Sequence, residues 1–431
     1  MNEVKRARRN AIVANTRPEP STPMLTRDLQ HTLTFILAGG QGERLQPLTK
    51  IRAKPAVPFG GCYRIIDFTL SNCIHSGLRR ICVLTQYHAR SLEEHLRFGW
   101  NFLPRRLEQF IVARPPHHQP TQRWYKGTAD AIYQNIADIE DQRPEHVLIL
   151  SGDHIYKMNY GHMLLEHMVN YAAVTIGAVP IPVSESRRFG VLEADDRGRV
   201  SSFIEKAANA PQMPDRPGYC LGSMGIYVFK ADELVRRLRA DAELGDKSSH
   251  DFGKDILPRM IDETHVQAHR FVDTNGDEDP YWRDVGTIDA LFDANMGLCG
   301  ETPEINLYDR EWPIYTLWHN DPPARIVSGG GNRAAEVVDS LLCPGTIVTG
   351  AHLRRSILSN IVQVGAGSRV EESLVFRGAK IGRDVKLKRT IVDKWAKIPD
   401  GMVIGHDLAA DRQRFTVTES GIVVVPRDFG E

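Results

Sequence analysis

The chain has 431 residues, too many for one typical hydrophobic core, so the sequence predicts two domains. Hydrophobic residues make up 42% of it and charged residues 25%, which is typical of a water-soluble globular protein. The 54 basic and 54 acidic side chains cancel, and no apolar run approaches the roughly 20 residues that span a bilayer, so neither nucleic acid nor a membrane is an expected partner.

Residues 1–31 are predicted to form a flexible basic arm. Lys5, Arg6, Arg8 and Arg9 lie in a segment that contains prolines and shows little apolar periodicity. The segment lacks the apolar stretch of a secretory signal. An organelle transit peptide is the less favoured alternative, because acidic residues interrupt so short a segment.

The six cysteines lack CxxC or zinc-site spacing, and several lie in apolar surroundings: Cys62, Cys73, Cys82, Cys220, Cys299 and Cys343. Buried free thiols in a reducing cytoplasm are the preferred interpretation, and a redox switch is the alternative. We therefore expect a cytoplasmic protein.

A glycine-rich loop follows the first apolar run. It contains Gly39, Gly40 and Gly42, and the cations Arg44 and Lys54 come just after it. Glycines let successive backbone N–H groups surround phosphate oxygens, and the cations add charge. The loop matches neither a P-loop nor a dinucleotide fingerprint. A purely structural turn is the alternative, but the cations favour phosphate binding.

The segment 32–300 alternates strand and helix patterns. Strands are predicted at 34–38, 80–85, 146–150, 174–179, 225–229 and 268–272, and helices at 89–98, 129–140 and 160–171. This alternation predicts a mixed α/β sheet with ligands at the carboxyl ends of its strands. Asp153 follows one such strand, and a carboxylate there requires a counter-ion, for which Mg²⁺ is expected.

Proline and glycine clusters at 301–331 indicate a linker, and a repeat of 17 residues follows it. The repeated apolar positions are Ile347, Val364, Ile381 and Ile398; Leu353, Val370, Leu387 and Ile404; and Leu358, Val375 and Val392. Three inward side chains per repeat predict a left-handed parallel β-helix of about four turns over residues 332–431, because stacked coils bury what one coil cannot.

Several motifs carry a resemblance to a known family, at 63–68, 70–73, 124–131, 150–156, 248–255 and 281–287. With the glycine loop, they resemble the nucleoside-triphosphate sugar-1-phosphate nucleotidyltransferases, and among these the glucose-1-phosphate adenylyltransferases, from about residue 32 to the C-terminus. The resemblance implies a Rossmann-like, mixed-sheet catalytic domain at 32–300 and a β-helix domain for regulation and oligomerisation.

The implied reaction converts ATP and glucose 1-phosphate to ADP-glucose and pyrophosphate with Mg²⁺, for glycogen-like α-glucan synthesis. In it, Arg44 grips the β/γ-phosphates, Lys54 reaches the same phosphates or the α-phosphoryl group, and Asp153 and Asp284 hold the metal. A loop salt bridge with Arg283 is the alternative role for Asp284. The resemblance also implies a homotetramer that is controlled by small-metabolite effectors.

Other positions match the family residue by residue. Lys206 matches the lysine that binds the sugar phosphate, and Glu205 matches the acid that binds sugar hydroxyls, although Ala207 replaces the usual proline. The remaining expected contacts to glucose 1-phosphate are Tyr125, Gly190 and Ser223. The base-contacting region is expected at Gln86 and Gly127, where Gly127 is alternatively a turn that starts a helix.

Other interpretations remain open at this point. A non-catalytic regulatory subunit, a purely structural interaction protein, a transferase for another nucleotide and a bifunctional uridylyltransferase–acetyltransferase share parts of this pattern. Ile51 stands where some bacterial relatives carry a basic residue linked to activator binding. The effector is therefore undetermined, with Lys50, Arg52 and the basic arm as compensating cations.

Overall fold

The computed structural model describes residues 22–116, 124–273, 280–330 and 333–430. The prediction for residues 1–21 of the basic arm lies outside these ranges. Within them, no helix is both long and apolar enough to cross a membrane.

The α-helices of the described residues are α1 (Thr22–His31), α2 (Ile65–His75), α3 (Arg90–Gly99), α4 (Thr128–Tyr133), α5 (Ile136–Gln142), α6 (Tyr160–Val169), α7 (Ala231–Glu243), α8 (Leu257–Glu263), α9 (Ile288–Met296) and α10 (Leu408–Arg412). The strands of the sheet domain are β1 (Leu33–Ala38), β2 (Pro58–Phe59), β3 (Tyr63–Arg64), β4 (Arg80–Thr85), β5 (Phe110–Arg114), β6 (His146–Ser151), β7 (His154–Tyr156), β8 (Val174–Pro182), β9 (Gly190–Ala194), β10 (Val200–Glu205), β11 (Tyr219–Lys230), β12 (Val266–Arg270) and β13 (Trp282–Asp284).

The strands of the β-helix are β14 (Arg325–Val327), β15 (Glu336–Val338), β16 (Leu341–Leu342), β17 (Ile347–Thr349), β18 (His352–Arg354), β19 (Ile357–Leu358), β20 (Gln363–Val364), β21 (Arg369–Glu371), β22 (Leu374–Val375), β23 (Lys380–Ile381), β24 (Lys386–Lys388), β25 (Thr390–Val392), β26 (Lys397–Ile398), β27 (Val403–Ile404), β28 (Thr416–Val417) and β29 (Val423–Val425).

The sheet domain is built on a mixed nine-stranded sheet. Its main path runs β10-β9-β11-β6-β1-β4-β5, and β8 joins β11 to β12. Successive residues of β1 point to opposite faces: Phe35 lies in one hydrophobic core and Ile36 in the other. Both faces are therefore covered, as the apolar strand patterns predict. Strands β4, β1 and β6 are parallel neighbours, so their carboxyl ends share one edge.

Two helix predictions need correction. The single helix predicted at 129–140 is two helices, α4 and α5, because the Asn135 side chain donates to the Ala131 carbonyl at 2.8 Å and ends the first of them. The C-terminal part of the predicted flexible arm is the helix α1. Its Leu29 is buried in the core and Leu25 packs beside it, four residues apart on one helix face.

The β-helix consists of three stacks of parallel strands. Two stacks have five strands, and the third has six because β28 adds antiparallel to β29. The repeat is confirmed from Val364 onward, but Val348, not Ile347, stacks on Val364. The first step is thus 16 residues, and Ile347 is only half-buried whereas Val348 is fully buried. The stacks are also longer than the predicted four turns.

The predicted linker at 301–331 is divided between the domains: its strand β14 belongs to the β-helix, and an earlier part of it is bound to the sheet domain. Thr316 donates to Asp67 at 2.6 Å, and the Trp312 indole donates to Asn72 at 2.9 Å. Asp67 is fully buried and also contacts His95 and the Trp100 indole. A buried carboxylate with this many partners fixes the connection at a defined position.

Candidate active site

Three predicted elements meet at the common edge of β4, β1 and β6. The glycine loop follows β1, Gln86 follows β4, and Asp153 follows β6 by two residues. They converge because parallel strands present their carboxyl ends at the same side of a sheet. The short pair of β13 with β7 then sets Asp284 opposite His154, which brings the second predicted acid beside the first.

The glycine loop is tightly shaped. Gly42 has a φ of +66°, in the left-handed region that favours glycine, and the Thr49 hydroxyl donates to its carbonyl at 2.7 Å. A Cβ at Gly39 would lie 3.1 Å from Gln86 and 3.6 Å from the Tyr125 ring, whereas a Cβ at Gly40 would meet nothing within 4 Å. Gly40 therefore turns an open face outward, which suits close approach of a ligand.

Opposite charges converge beside this loop. The Lys54 ammonium lies 2.7 Å from Asp153 and 3.3 Å from Asp284, with a side chain that is only 10% exposed. Arg44 completes the group, because a Cβ placed on Gly286 would lie 2.8 Å from an Asp284 oxygen, 2.9 Å from the Arg44 guanidinium and 3.1 Å from the Lys54 ammonium. All four predicted catalytic side chains therefore lie together.

The two charges at the centre stabilise each other. Burial acts to raise the pKa of Asp153, but Lys54 and His154 outweigh it and hold that pKa well below its ordinary value. Burial likewise opposes the charge of Lys54, yet Asp153 and Asp284 raise its pKa above the usual range. Both groups are thus fully ionised at neutral pH.

Asp153, His154 and Asp284 form a group that fits a divalent metal ion. One potential ligand atom from each lies within 4.8 Å of the others. Carboxylate oxygens suit hard divalent cations, and the Nδ1 atom of His154 is buried with no hydrogen-bond partner among the described residues. In the structure, the Lys54 ammonium supplies positive charge to the two carboxylates.

A cavity of about 290 Å³ extends from this charged group to Glu205. The Glu205 carboxylate lies between two glycines, since a Cβ at Gly190 would be 3.0 Å from it and one at Gly253 would be 2.9 Å from it. Burial, and then the charge of Asp251, raise its pKa. Ser223 also lines the cavity. One end thus carries paired charges, and the other offers acceptors for hydroxyl groups.

Comparison with known proteins agrees with this arrangement. The family model for "Nucleotidyl transferase" matches residues 33–301, and that for "GlmU-like, C-terminal hexapeptide" matches residues 322–425. Curated relatives named glucose-1-phosphate adenylyltransferase include those of Methylobacillus flagellatus (48% identical over 93% of this chain and 94% of the relative), Rhodopirellula baltica (48%, 93% and 90%) and Koribacter versatilis (48%, 92% and 96%). The chain belongs to the glucose-1-phosphate adenylyltransferase family.

Family membership confirms the predicted fold class, a Rossmann-like mixed-sheet domain followed by a left-handed parallel β-helix. It also makes the chain a nucleotidyltransferase. The roles of the individual residues remain predictions, and the structure shows where each of these residues lies.

Tyr125, Gly127 and Lys206 lie elsewhere than on the cavity wall. The Tyr125 backbone N–H donates to the Gln86 side-chain oxygen at 3.1 Å, and the Tyr125 hydroxyl donates to the Arg114 carbonyl at 3.2 Å. The Tyr125 ring therefore lies beside the glycine loop. Gly127 passes close to the backbone of His250, whose carbonyl would lie 2.3 Å from a Cβ there. The Lys206 side chain is exposed beside Glu205.

Sequence reasoning missed three residues that line the cavity. His154 contacts Asp153 at 3.5 Å, and Arg188 approaches Asp284 at 3.6 Å. Asp251 accepts from the Thr128 hydroxyl at 3.0 Å and from the Gly253 N–H at 3.0 Å. Asp251 and His154 lie in motifs that carried the resemblance, so closer attention to those motifs could have found them. Arg188 had no such signal.

Proposed function

We propose that this chain transfers the adenylyl group of ATP to glucose 1-phosphate and releases pyrophosphate. The observation that carries the proposal is the convergence of Arg44, Lys54, Asp153 and Asp284 at one end of a cavity whose other end is lined by Glu205. Two anionic reactants require charge neutralisation and alignment, and this arrangement supports both.

In the proposed mechanism, the sugar phosphate oxygen attacks the α-phosphorus in line with the departing pyrophosphate. Arg44 binds the β/γ-phosphates and neutralises charge on the leaving group. The backbone N–H groups of the glycine loop hold the triphosphate, because the open face at Gly40 admits it. No covalent enzyme intermediate is required.

Asp153 and Asp284 would hold Mg²⁺, which supplies Lewis-acid stabilisation of charge on the phosphoryl oxygens. Lys54 then exchanges its carboxylate partners for phosphate oxygens. Glu205 orients the glucose ring through its hydroxyl groups, and Lys206 binds the sugar phosphate. This division of roles explains why the charges are paired at one end of the cavity only.

The intact charge group favours an enzyme over a regulatory subunit of the same fold. The adenine preference agrees with the names of the relatives, which are glucose-1-phosphate adenylyltransferases. The role in α-glucan synthesis and the homotetramer remain predictions from the sequence resemblance. A cytoplasmic location remains a prediction.

We also propose an effector site between the two domains. A cavity of about 830 Å³ there is lined by Lys50 and Ile51 from the sheet domain and by Arg412, Arg414 and Arg427 from the C-terminal segment. The C-terminal arginines supply the positive charge that Ile51 lacks, and together with Lys50 they outnumber the two acids of the lining, Asp393 and Asp428. Arg52 is not the compensating cation, because it is buried in an ion pair with Asp393. An anionic metabolite fits this charge.

The activity is tested with purified protein, Mg²⁺ and glucose 1-phosphate, to which ATP, UTP and dTTP are added in turn while pyrophosphate release is measured. Release with ATP that depends on glucose 1-phosphate supports the proposal. Equal or faster release with another triphosphate would reassign the nucleotide, and no release with any of them would favour the regulatory subunit.

A further inference from the structure

Two cysteines from different domains lie close together at the β2–β3 turn. Gly61 in this turn has a φ of +85°, and a Cβ there would lie 2.5 Å from the Cys343 sulfur and 3.3 Å from Ile357. Cys343 follows β16, so the thiol of the β-helix is directly against the turn of the sheet domain. Cys62 is the next residue of that turn, so the Cys343 sulfur lies against the residue that directly precedes Cys62 in the chain.

The surroundings of the two thiols differ. Cys343 is buried, whereas Cys62 is only half-buried and lines a small cavity of about 50 Å³. The same cavity is lined by two guanidinium groups, those of Arg64 and Arg377, and by Lys394, whose pKa is held well below its ordinary value by burial and by the neighbouring arginines. Nearby positive charge favours a thiolate, and partial exposure admits a small oxidant. Cys62 therefore has the environment of an attacking thiol, and Cys343 that of a resolving thiol.

The electrostatics of the pair agree with this geometry. The hydrogen bond from Cys343 lowers the pKa of the Cys62 thiol, and burial only partly opposes it. The same hydrogen bond, together with burial, raises the pKa of Cys343. In the other four cysteines, burial raises the pKa of the thiol: Cys73, Cys82, Cys220 and Cys299. Cys62 is therefore the cysteine best suited to react first.

We propose that Cys62 and Cys343 are a redox-active thiol pair that a small-molecule disulfide oxidises to a covalent link between the sheet domain and the β-helix. The Cys62 thiolate attacks one sulfur of the oxidant and displaces the first thiolate. The Cys343 thiol then attacks the Cys62 sulfur and displaces the second. Two cysteine thiols lose two electrons and two protons, and the oxidant leaves as two reduced thiols.

The link would restrain the junction of the two domains. Cys62 stands two residues before Arg64, and Lys394 and Arg377 reach the same cavity from the β-helix. Oxidation would therefore fix the relative position of the basic side chains that meet there. The inference rests on this junction alone and is independent of the proposed activity.

The experiment incubates the full-length protein with oxidised glutathione near the ordinary cysteine pKa of about 8.5, then quenches with acid, alkylates the unfolded chain and maps the peptides by mass spectrometry without reduction. We expect a Cys62–Cys343 linked peptide in the wild type and in the control variant Cys299→Ser. Dithiothreitol removes it. In Cys343→Ser, we expect glutathione to remain attached to Cys62, and in Cys62→Ser we expect Cys343 to be alkylated.

A wild-type protein in which Cys62 keeps glutathione while Cys343 is alkylated would overturn the proposal. The same holds if both thiols are alkylated while another cysteine has reacted. A second measurement follows the consequence: the linked protein should melt about 5 °C higher than the reduced one, and equal melting temperatures would contradict a restraint between the domains.

Discussion

For single residues, Lys54 and Asp153 illustrate how a largely buried site keeps two opposite charges ionised side by side. Each side chain would be costly to bury alone, and each has its opposite charge within hydrogen-bond distance. The arrangement leaves a cation ready for phosphate and two acids ready for a metal ion. Removal of one acid should therefore affect turnover more than folding.

Asp153→Asn is expected to lower kcat by ~10²-fold or more, because it removes charge stabilisation directed at the reacting phosphate. Steady-state kinetics with circular dichroism of the same sample checks the prediction. The matched control is Asp246→Asn, which alters a fully exposed acid. Near-normal turnover in Asp153→Asn would contradict the assignment of the metal ligands.

Lys206→Ala is expected to raise the KM for glucose 1-phosphate about tenfold or more and to leave that for ATP little changed, since a charge-assisted bond to the sugar phosphate is lost. Lys247→Ala is the control, as another exposed lysine. A rise in the KM for ATP alone would show that the two binding roles are exchanged.

Glu205 should give the reaction a pH dependence. Burial and Asp251 raise its pKa, so it takes up a proton at a higher pH than an ordinary glutamate, whose pKa is about 4.3. As the pH falls, Glu205 loses its charge first, and the KM for glucose 1-phosphate should rise before that for ATP. In Glu205→Gln this acid-side rise should vanish, and an unchanged profile would contradict the role.

Among the structural elements, the glycine loop contains glycines in two different environments: a Cβ on Gly39 or Gly42 would meet neighbouring atoms, whereas a Cβ on Gly40 would not. Gly40→Ala adds a Cβ that meets no atom within 4 Å and needs no positive φ. We expect unchanged thermal stability but a raised KM for ATP, because the methyl group obstructs the approach of phosphate to the backbone. Gly297→Ala, which is equally free of contacts, is the control. An unchanged KM in Gly40→Ala would mean that the triphosphate binds elsewhere.

The β-helix contains a ladder of side-chain hydroxyl groups that are hydrogen-bonded from coil to coil. The Ser356 hydroxyl accepts a hydrogen bond from the N–H of Ser373, and the Ser373 hydroxyl accepts one from the N–H of Thr390. Ser356→Ala should therefore lower the free energy of unfolding by about 1–3 kcal/mol, because a buried N–H loses its partner. Chemical denaturation measures this, and Ser340→Ala, at the less buried end of the ladder, should cost less.

The sequence predicted the elements with strong local patterns. Short, almost continuous apolar runs located β1, β4 and β6, and the 17-residue repeat located the β-helix from Val364 onward. The sequence patterns did not predict features that depend on tertiary contacts. The break at Asn135 requires its bond to Ala131, and the shorter first coil requires the register that buries Val348. The cavity-lining role of Arg188 required β7 and β13 to pair.

At the scale of the whole molecule, the two domains are joined by a buried ion pair. Arg52 donates to both carboxylate oxygens of Asp393, at 2.7 and 2.9 Å, and both side chains are 3% exposed. Arg52→Ala leaves a buried carboxylate without its partner and should cost about 3–5 kcal/mol. Calorimetry is expected to show a lower melting temperature, whereas an unshifted transition would contradict the coupling.

We propose that Asp153 and Asp284 hold a divalent metal ion opposite Arg44 and Lys54. The most direct test is a crystal structure with Mn²⁺ and ADP-glucose, in which anomalous scattering locates the metal. We expect an anomalous peak between the two carboxylates, with the diphosphate against the glycine loop. A peak remote from both acids, or a diphosphate bound away from Arg44, would contradict it.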